Sequence, residues 1–283
     1  MSKAQKNRPS AIAGHWYPNN PKQLTTEIQG YLDQASPVPA EGKLLAVIAP
    51  HAGYVYSGQT AAYAFKLLQG NTYERVILCS PFHAMTYEAL LTSAYPAYET
   101  PLGTIPVDMG ALEKIDQHLE QNGMQKVFRI KQEREHSLEI ELPFLQTVMS
   151  EPFELVPIMV RTHQPVSLQI LANILAELVQ EKPTIMVAST DLSHFNPATT
   201  AEILDSNVLV DIQNLNPAQL IQDNKSGTGL ACGTGAVALI MYTAKLLGAN
   251  HADILNYTHS GVITGDNSSV VGYGAAAIYQ QES

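Results

Sequence analysis

The sequence predicts an α/β fold, a three-layer α/β/α sandwich in which helices cover both faces of a mostly parallel sheet. Several predicted strands are short unbroken apolar runs, which is typical of strands buried on both faces. They alternate with predicted helices, as expected for βαβ units. The 283 residues show no linker-like change in composition. We therefore expect one domain over residues 1–283, with residues 1–9 as a loose polar tail.

The first half of the chain begins its sheet with the apolar run 44–49. This strand ends at Pro50, which lacks the N–H needed to continue a ladder. Gly53 and Gly58 permit tight turns before a helix predicted at 61–68. The other elements expected in this half are helices at 21–35 and 109–121, strands at 74–80, 88–94 and 126–130, and a long loop or short hairpin at 98–107.

The second half is marked by apolar residues at helical spacing, which predict one helical face at 138–145 and a broad one at 166–179. Asn216 and Pro217 open the second of two helices predicted over 201–224. The glycine-rich turn at 227–235 lacks the lysine of a P-loop, so a phosphate cradle is not favoured. The remaining elements are a helix at 236–247 and strands at 153–160, 184–189, 251–257 and 270–279.

Composition and charge exclude several classes of function. The formal net charge of -10 argues against nucleic-acid binding, which needs a basic face. No apolar run reaches the roughly 20 residues that span a bilayer, and the first nine residues lack the apolar core of a signal peptide. Two cysteines, Cys79 and Cys232, favour a reducing compartment over a disulfide framework. We expect a cytoplasmic protein.

Polar side chains follow three predicted strands at the point where each strand ends. His51 follows the first strand, His83 the second, and Asp191 and His194 follow the strand at 184–189. The carboxyl ends of parallel strands share one edge, and ligands of open α/β sheets bind there. Imidazoles suit zinc, copper, iron and nickel. Cys232 stands at a predicted helix start, where a thiol pKa is lowered.

The residues alone leave three kinds of site open at this edge. One is a metal site with two or three histidines plus Cys232 or Asp191. Another is a cysteine nucleophile without metal, Cys232 paired with His51 or His194. The third is a polar cleft that only binds, with Asp191 as an ordinary turn residue. No short-spaced ligand motif such as HExxH or CxxC is present to decide among them.

Six motifs carry a resemblance to a known family. In chain order they are Ala13-Gly14-His15-Trp16-Tyr17-Pro18, Ala49-Pro50-His51-Ala52-Gly53-Tyr54, Ser80-Pro81-Phe82-His83, Glu135-His136-Ser137-Leu138-Glu139, Ser189-Thr190-Asp191-Leu192-Ser193-His194 and Cys232-Gly233. The sequence resembles the Memo-like family over residues 8–279. Bacterial and archaeal members are called AmmeMemoRadiSam system protein B.

The resemblance implies a fold like that of the class III extradiol dioxygenases and a metal site of two histidines plus a cysteine. Carried over by motif, these are His51, His83 and Cys232. The same comparison implies that His136, Asp191 and His194 line the cleft. Trp16, next to His15, matches an aromatic residue at the pocket rim that binds phosphotyrosine peptides in the animal member. Residue chemistry alone allows Trp16 to be a packing anchor instead.

The function expected from this resemblance is oxidative chemistry at a mononuclear iron or copper site. His136 and His194 would supply or take protons near the metal. The alternative is a non-enzymatic module whose cleft holds a peptide or a partner protein. The resemblance also implies partners from the AmmeMemoRadiSam system, a radical SAM protein and an AMMECR-like protein. The substrate is not indicated.

Overall fold

The computed structural model describes residues 7–282. The strands are β1 (Lys43–Ala49), β2 (Arg75–Ser80), β3 (Leu90–Ser93), β4 (Ala97–Thr100), β5 (Gly103–Pro106), β6 (Phe128–Ile130), β7 (Glu154–Val160), β8 (Thr184–Ser189), β9 (His194–Asn196), β10 (His251–His259) and β11 (Val270–Gln280). The helices are α1 (Pro21–Gln34), α2 (Tyr54–Lys66), α3 (Met109–Gln121), α4 (Leu142–Val148), α5 (Pro165–Glu181), α6 (Ala198–Gln213), α7 (Pro217–Ser226), α8 (Thr234–Leu246) and α9 (Ser260–Thr264), with a 3₁₀ turn at Glu139–Glu141.

One sheet runs through the molecule in the order β10-β11-β1-β8-β2-β7-β3-β6, and β9 pairs with β11. Its four central strands, β1, β8, β2 and β7, are parallel. Antiparallel pairs flank them, β11 with β1 on one side and β3 with β7 on the other. The apolar runs explain the centre, because every residue of β2 and β8 is buried. The predicted α/β class is confirmed, and its parallel part is the middle of a mixed sheet.

The helices form two layers. One contains α1, α2 and α4, and the other contains α3, α5, α6, α7 and α8. The crossover from β1 to β2 uses α2, whereas the crossover from β7 to β8 uses α5 and runs in the opposite direction along the sheet. Right-handed crossovers of opposite direction lie on opposite faces. After β1 the chain passes to α2, and after β8 it passes to α6, which lies in the other layer. This divergence opens a crevice at the carboxyl ends of the neighbouring strands β1 and β8.

No helix within residues 7–282 combines the length and the apolar character needed to cross a membrane. Most predicted elements form close to their expected positions. The region expected as a long loop or short hairpin at 98–107 is a hairpin, because β4 and β5 pair antiparallel.

The start of α2 differs from the prediction, since the helix begins at Tyr54 and not at residue 61. Gly58 is not a turn residue. It lies inside α2, where a Cβ atom would come within 2.7 Å of the Tyr31 ring, so a side chain there would separate α2 from α1. Tyr54 is held at the first turn by Ile140, whose carbonyl accepts a hydrogen bond from the Tyr54 hydroxyl at 2.8 Å.

The prediction of a loose tail over residues 1–9 is wrong at its end, while residues 1–6 lie outside the described residues. Arg8 is only 1% exposed. Its guanidinium pairs with Glu133 and Glu139, and its backbone N–H bonds to the carbonyl of Ala97 at 2.8 Å. A buried cation is stable only when paired, so two distant acids explain why a segment of tail-like composition is fixed.

Candidate metal centre

His51 lies directly after β1, on the floor of the crevice between β1 and β8. Its side chain is buried. The Nδ1 atom is 2.9 Å from the hydroxyl of Ser189 at the end of β8. Its backbone N–H donates to Oδ1 of Asp191 at 2.7 Å. The first contact holds the ring at Nδ1, the second holds the backbone, and Nε2 is the ring nitrogen left for a ligand.

His83 follows β2 and is held by a buried acid that the sequence analysis did not single out. Glu135 accepts a hydrogen bond from the His83 backbone N–H at 2.6 Å and contacts His83 Nδ1 at 2.9 Å. Burial lowers the pKa of His83, but the hydrogen bond and charge of Glu135 outweigh it and raise this pKa above its ordinary value. An imidazole that gives Nδ1–H to a carboxylate presents Nε2 to a ligand.

His136 joins these two residues. His51, His83 and His136 each offer a ligating atom, and these atoms all lie within 4.8 Å of one another. The ring of His136 stacks on His83 at a centroid distance of 4.6 Å and an interplanar angle of 17°. The centroid of the His136 ring also lies 4.3 Å from that of the Trp16 ring. The family resemblance predicts His136 in the cleft, whereas no pattern in the sequence predicts that it joins the other two imidazoles.

Asp191 and Cys232 form the part of the site that lies against β8. Cys232 Sγ is 3.1 Å from His51 Nε2 and 3.3 Å from the backbone nitrogen of Asp191. Gly233 allows this approach, because a Cβ there would lie 2.5 Å from the Ser189 carbonyl oxygen. The glycine-rich turn before α8 therefore serves close packing against the end of β8.

His194 begins β9 on another side of the cleft. Its Nδ1 lies 2.8 Å from the carbonyl oxygen of Leu192, so this nitrogen carries the proton and Nε2 keeps its lone pair. Burial lowers the pKa of His194. Phe195, the next residue, has a φ of 59° and an exposed ring, an uncommon conformation for a residue with a bulky side chain.

Burial decides the protonation of the metal-free site. It lowers the pKa of His51 well below its ordinary value and that of His136 to about 4, so both rings are neutral at pH 7. It raises the pKa of Asp191 to about 7. Burial also raises the pKa of Cys232, contrary to the expectation from its helix start. Desolvation and the neighbouring Asp191 outweigh the helix terminus, so the free side chain is a thiol.

A cleft of ≈ 500 Å³ covers this cluster. His15 and Trp16 are among its lining residues, and Trp16 is 36% exposed. The other lining residues are His51, Ala52, Gly53, Val55, Tyr56, His83, His136, Asp191, His194, Val271 and Tyr273. The second cysteine lies elsewhere, because Cys79 is buried inside β2.

The donor set fits a transition-metal ion. His51 and His136 are neutral, and His51 and His83 have Nδ1 engaged by neighbouring side chains, Ser189 and Glu135. Such outer hydrogen bonds orient ligating imidazoles in metal sites. Imidazole and thiol donors favour zinc, copper or iron over magnesium and calcium. These three imidazoles are positioned to hold an ion, and their geometry does not identify it.

Comparison with known proteins agrees with this architecture. The family model described as Memo-like protein matches residues 8–277. A MEMO1 family protein of Nitrosopumilus maritimus is 32% identical over 272 residues, 95% of this chain and 98% of the relative. One from Thermotoga petrophila is 33% identical over 286 residues, 96% of this chain and 99% of the relative. This chain belongs to the Memo-like protein family.

Proposed function

We propose that this protein binds one iron or copper ion at the carboxyl edge of its sheet and carries out redox, dioxygenase-like chemistry on a small molecule or peptide in the cleft. The observation that carries the proposal is the cluster of His51, His83 and His136, whose ligating atoms lie within 4.8 Å of one another, and we assign the first two as donors. Buried neutral imidazoles are ligands for iron, copper and zinc.

The orientation of the rings supports His51, His83 and Cys232 as the donors. An imidazole nitrogen offers its lone pair in the plane of the ring. The His51 and His83 planes cross at 78°, and their ligating atoms lie within 4.8 Å of each other, so both lone pairs can reach one ion. His136 stacks on His83 at 17°, so an ion in the plane of His83 lies off the plane of His136. The Cys232 thiol, 3.1 Å from His51 Nε2, supplies the third donor.

The remaining cleft residues then have separate roles. Bound iron or copper supplies redox and Lewis-acid chemistry. Burial lowers the pKa of His136 and that of His194, so both imidazoles are neutral and accept protons at a ring nitrogen. Asp191 holds the His51 backbone through the 2.7 Å hydrogen bond and keeps this loop in place. Trp16 and His15 contact the bound molecule at the rim.

A thiolate donor also argues against catechol ring cleavage. The extradiol enzymes that this family resembles in fold hold ferrous iron with two histidines and a carboxylate. Cys232 is a softer donor that favours copper(I) and is itself oxidisable. We expect iron-loaded protein to be a poor or inactive catechol-cleaving enzyme. Robust turnover of simple catechols, followed by absorbance of the ring-opened product, would contradict this expectation.

Metal content tests the donor set. The full chain is purified without added metal, and iron, copper and zinc are measured by mass spectrometry per folded protein. We expect His51→Ala and His83→Ala to lose the ion and Cys232→Ser to lose most of it. His136→Gln should retain it. His118→Ala is the matched control, because His118 lies in the last turn of α3, outside the residues that line the cleft.

Each outcome bears on the proposal. Unchanged metal in both His51→Ala and His83→Ala would overturn it. Loss in His136→Gln with retention in Cys232→Ser would replace the thiol by the third imidazole. A wild-type protein that neither retains nor binds iron or copper, yet binds peptide through Trp16, would favour the non-enzymatic binding module.

A further inference from the structure

The Ser189 hydroxyl connects His51 to a second buried acid, Glu141. Ser189 Oγ lies 2.9 Å from His51 Nδ1, 2.7 Å from the Ser137 carbonyl oxygen and 2.6 Å from Glu141 Oε1. All three are hydrogen-bond distances. Ser189, Ser137 and Glu141 are buried, so an unmade hydrogen bond among them is costly.

A count of protons decides the direction of these three bonds. A serine hydroxyl has one hydrogen and two lone pairs. The Ser137 carbonyl can only accept, so the Ser189 hydrogen must point there if this contact is to be attractive. The other two neighbours must then both donate to Ser189. His51 therefore carries its hydrogen on Nδ1, and Glu141 carries one on its carboxyl group.

The alternatives each leave a repulsive contact. If Glu141 were ionised and accepted the Ser189 hydrogen, the Ser137 carbonyl would face a bare oxygen lone pair at 2.7 Å. If Ser189 donated its hydrogen to His51, no hydrogen would be left for the Ser137 carbonyl, which can only accept. Only a neutral Glu141 satisfies all three contacts at once.

The surroundings of Glu141 agree with a neutral acid. Within residues 7–282, Ser189 is the only hydrogen-bond partner of its carboxyl group. Glu141 is 1% exposed, and burial raises its pKa well above the ordinary value. The chain of donors also continues beyond His51, because Nε2 then accepts from the Cys232 thiol at 3.1 Å.

We propose that Glu141 is a neutral carboxylic acid that donates to Ser189, and that Ser189 in turn fixes His51 as the tautomer with Nδ1 protonated and Nε2 free. Both are positioning residues. The benefit of this tautomer rests on the proposed metal site, where Nε2 is the donor atom. The hydrogen-bond chain itself does not depend on a metal, so it is testable in metal-free protein.

The first experiment is difference infrared spectroscopy of the metal-free full chain against Glu141→Gln. We expect the wild type to show the carbonyl stretch of a protonated carboxyl group that the variant lacks. Gln keeps the shape and an N–H donor, so the fold should be unchanged. Carboxylate bands in the difference spectrum instead would show an ionised Glu141 and overturn the proposal.

The second experiment reads the His51 tautomer directly. Imidazole ¹⁵N shifts are recorded in metal-free protein, with His51 assigned by comparison with His51→Gln. We expect Nδ1 protonated in wild type and Glu141→Gln, and a mixture of tautomers in Ser189→Ala, which removes the acceptor. An unchanged tautomer in Ser189→Ala would overturn the role of Ser189.

Metal affinity separates this inference from the proposed function. We expect Ser189→Ala to bind iron or copper about 10–100-fold more weakly, as is typical when an outer hydrogen bond to a ligand is lost. Glu141→Gln should stay close to wild type, and Glu141→Leu should fall between the two. Correct spectra without metal binding in any variant would overturn only the proposed function. Wild-type affinity in Ser189→Ala would overturn only the positioning role.

Discussion

Glu139 and Glu141 lie two residues apart in one 3₁₀ turn, and both are buried, yet they face different surroundings. Glu139 pairs with the Arg8 guanidinium and accepts hydrogen bonds from the Tyr17 hydroxyl and the backbone of Ala11. Glu141 has one hydroxyl partner, Ser189. The contrast teaches that burial alone does not fix the role of an acid. Glu139 is ionised and anchors the structure because a cation and several hydrogen-bond donors surround its carboxylate. Glu141 faces neither a cation nor several donors, and we infer that it is neutral and donates.

The largest expected effect is on the Glu139 side of this comparison. Glu139→Ala leaves part of the Arg8 charge and two backbone donors without their acceptor inside the protein. Removing one partner of a buried ion pair costs about 3–5 kcal/mol. We expect the free energy of unfolding, measured with urea, to fall by this amount. A loss below about 1 kcal/mol would show that the network around Arg8 is not an anchor.

The Glu141 side should respond less strongly. Glu141→Leu leaves one lone pair of Ser189 without a donor, which costs about 1–3 kcal/mol. Glu141→Gln should cost less than about 1 kcal/mol, since the amide still donates. Equal losses in the two variants, measured by the same urea titration, would mean that shape and not hydrogen bonding sets the stability here.

A third buried acid extends the comparison to a carboxyl group without a partner. Asp211 Oδ2 has no hydrogen-bond partner among the described residues, and burial, together with Asp223, raises its pKa to about 6. The folded state therefore binds this proton more tightly than the unfolded state, whose pKa is near 3.9. The ionised form destabilises the fold, by an amount that grows between pH 4 and 6 and is complete above pH 6.

Asp211→Asn removes this penalty. We expect the variant to be more stable than wild type by about 1 kcal/mol at pH 8, a value reduced for partial solvent screening, and equal to it at pH 4. Urea unfolding of both proteins at the two pH values tests this. A variant that is less stable at pH 8 would mean that Asp211 has a favourable partner when ionised.

The smallest effect is expected for an exposed ion pair. Lys114 and Glu181 contact each other on the surface, where their side chains are 53% and 36% exposed. Solvent weakens such a pair, so Lys114→Ala should change the free energy of unfolding by less than about 0.5 kcal/mol. A change near that of Glu139→Ala would break the distinction between buried and exposed pairs on which the comparison depends.

The strand-end residues of the site could be predicted because their positions follow from local pattern. His51 and His83 come after apolar runs closed by proline, and Asp191 follows β8. Glu135 could not be found in this way. It lies in irregular backbone between β6 and the 3₁₀ turn, and the four hydrogen bonds of its carboxylate within residues 7–282 include two to His83, 52 residues away.

Contacts with distant segments explain why the burial of Glu139 and Glu141 could not be predicted. Glu139 and Glu141 occupy the polar positions of an apparent amphipathic helix at 138–145, which normally face water. They are buried because the segment around Arg8 covers one of them and β8 meets the other. The only related feature of the sequence is an arginine in a short polar segment. Such a residue does not predict which distant acid it will pair with.

The place of β8 between β1 and β2 has a consequence for the order in which the molecule forms. His51 and His83 are both present early in the chain, but β8, which separates their strands, begins only at residue 184. A shorter chain lacks β8, so β1 and β2 cannot take their native spacing in it. Cys232 follows later still, 181 residues after His51. Such non-local assembly is slow, so the proposed metal site is complete only after the centre of the sheet has closed in its native strand order.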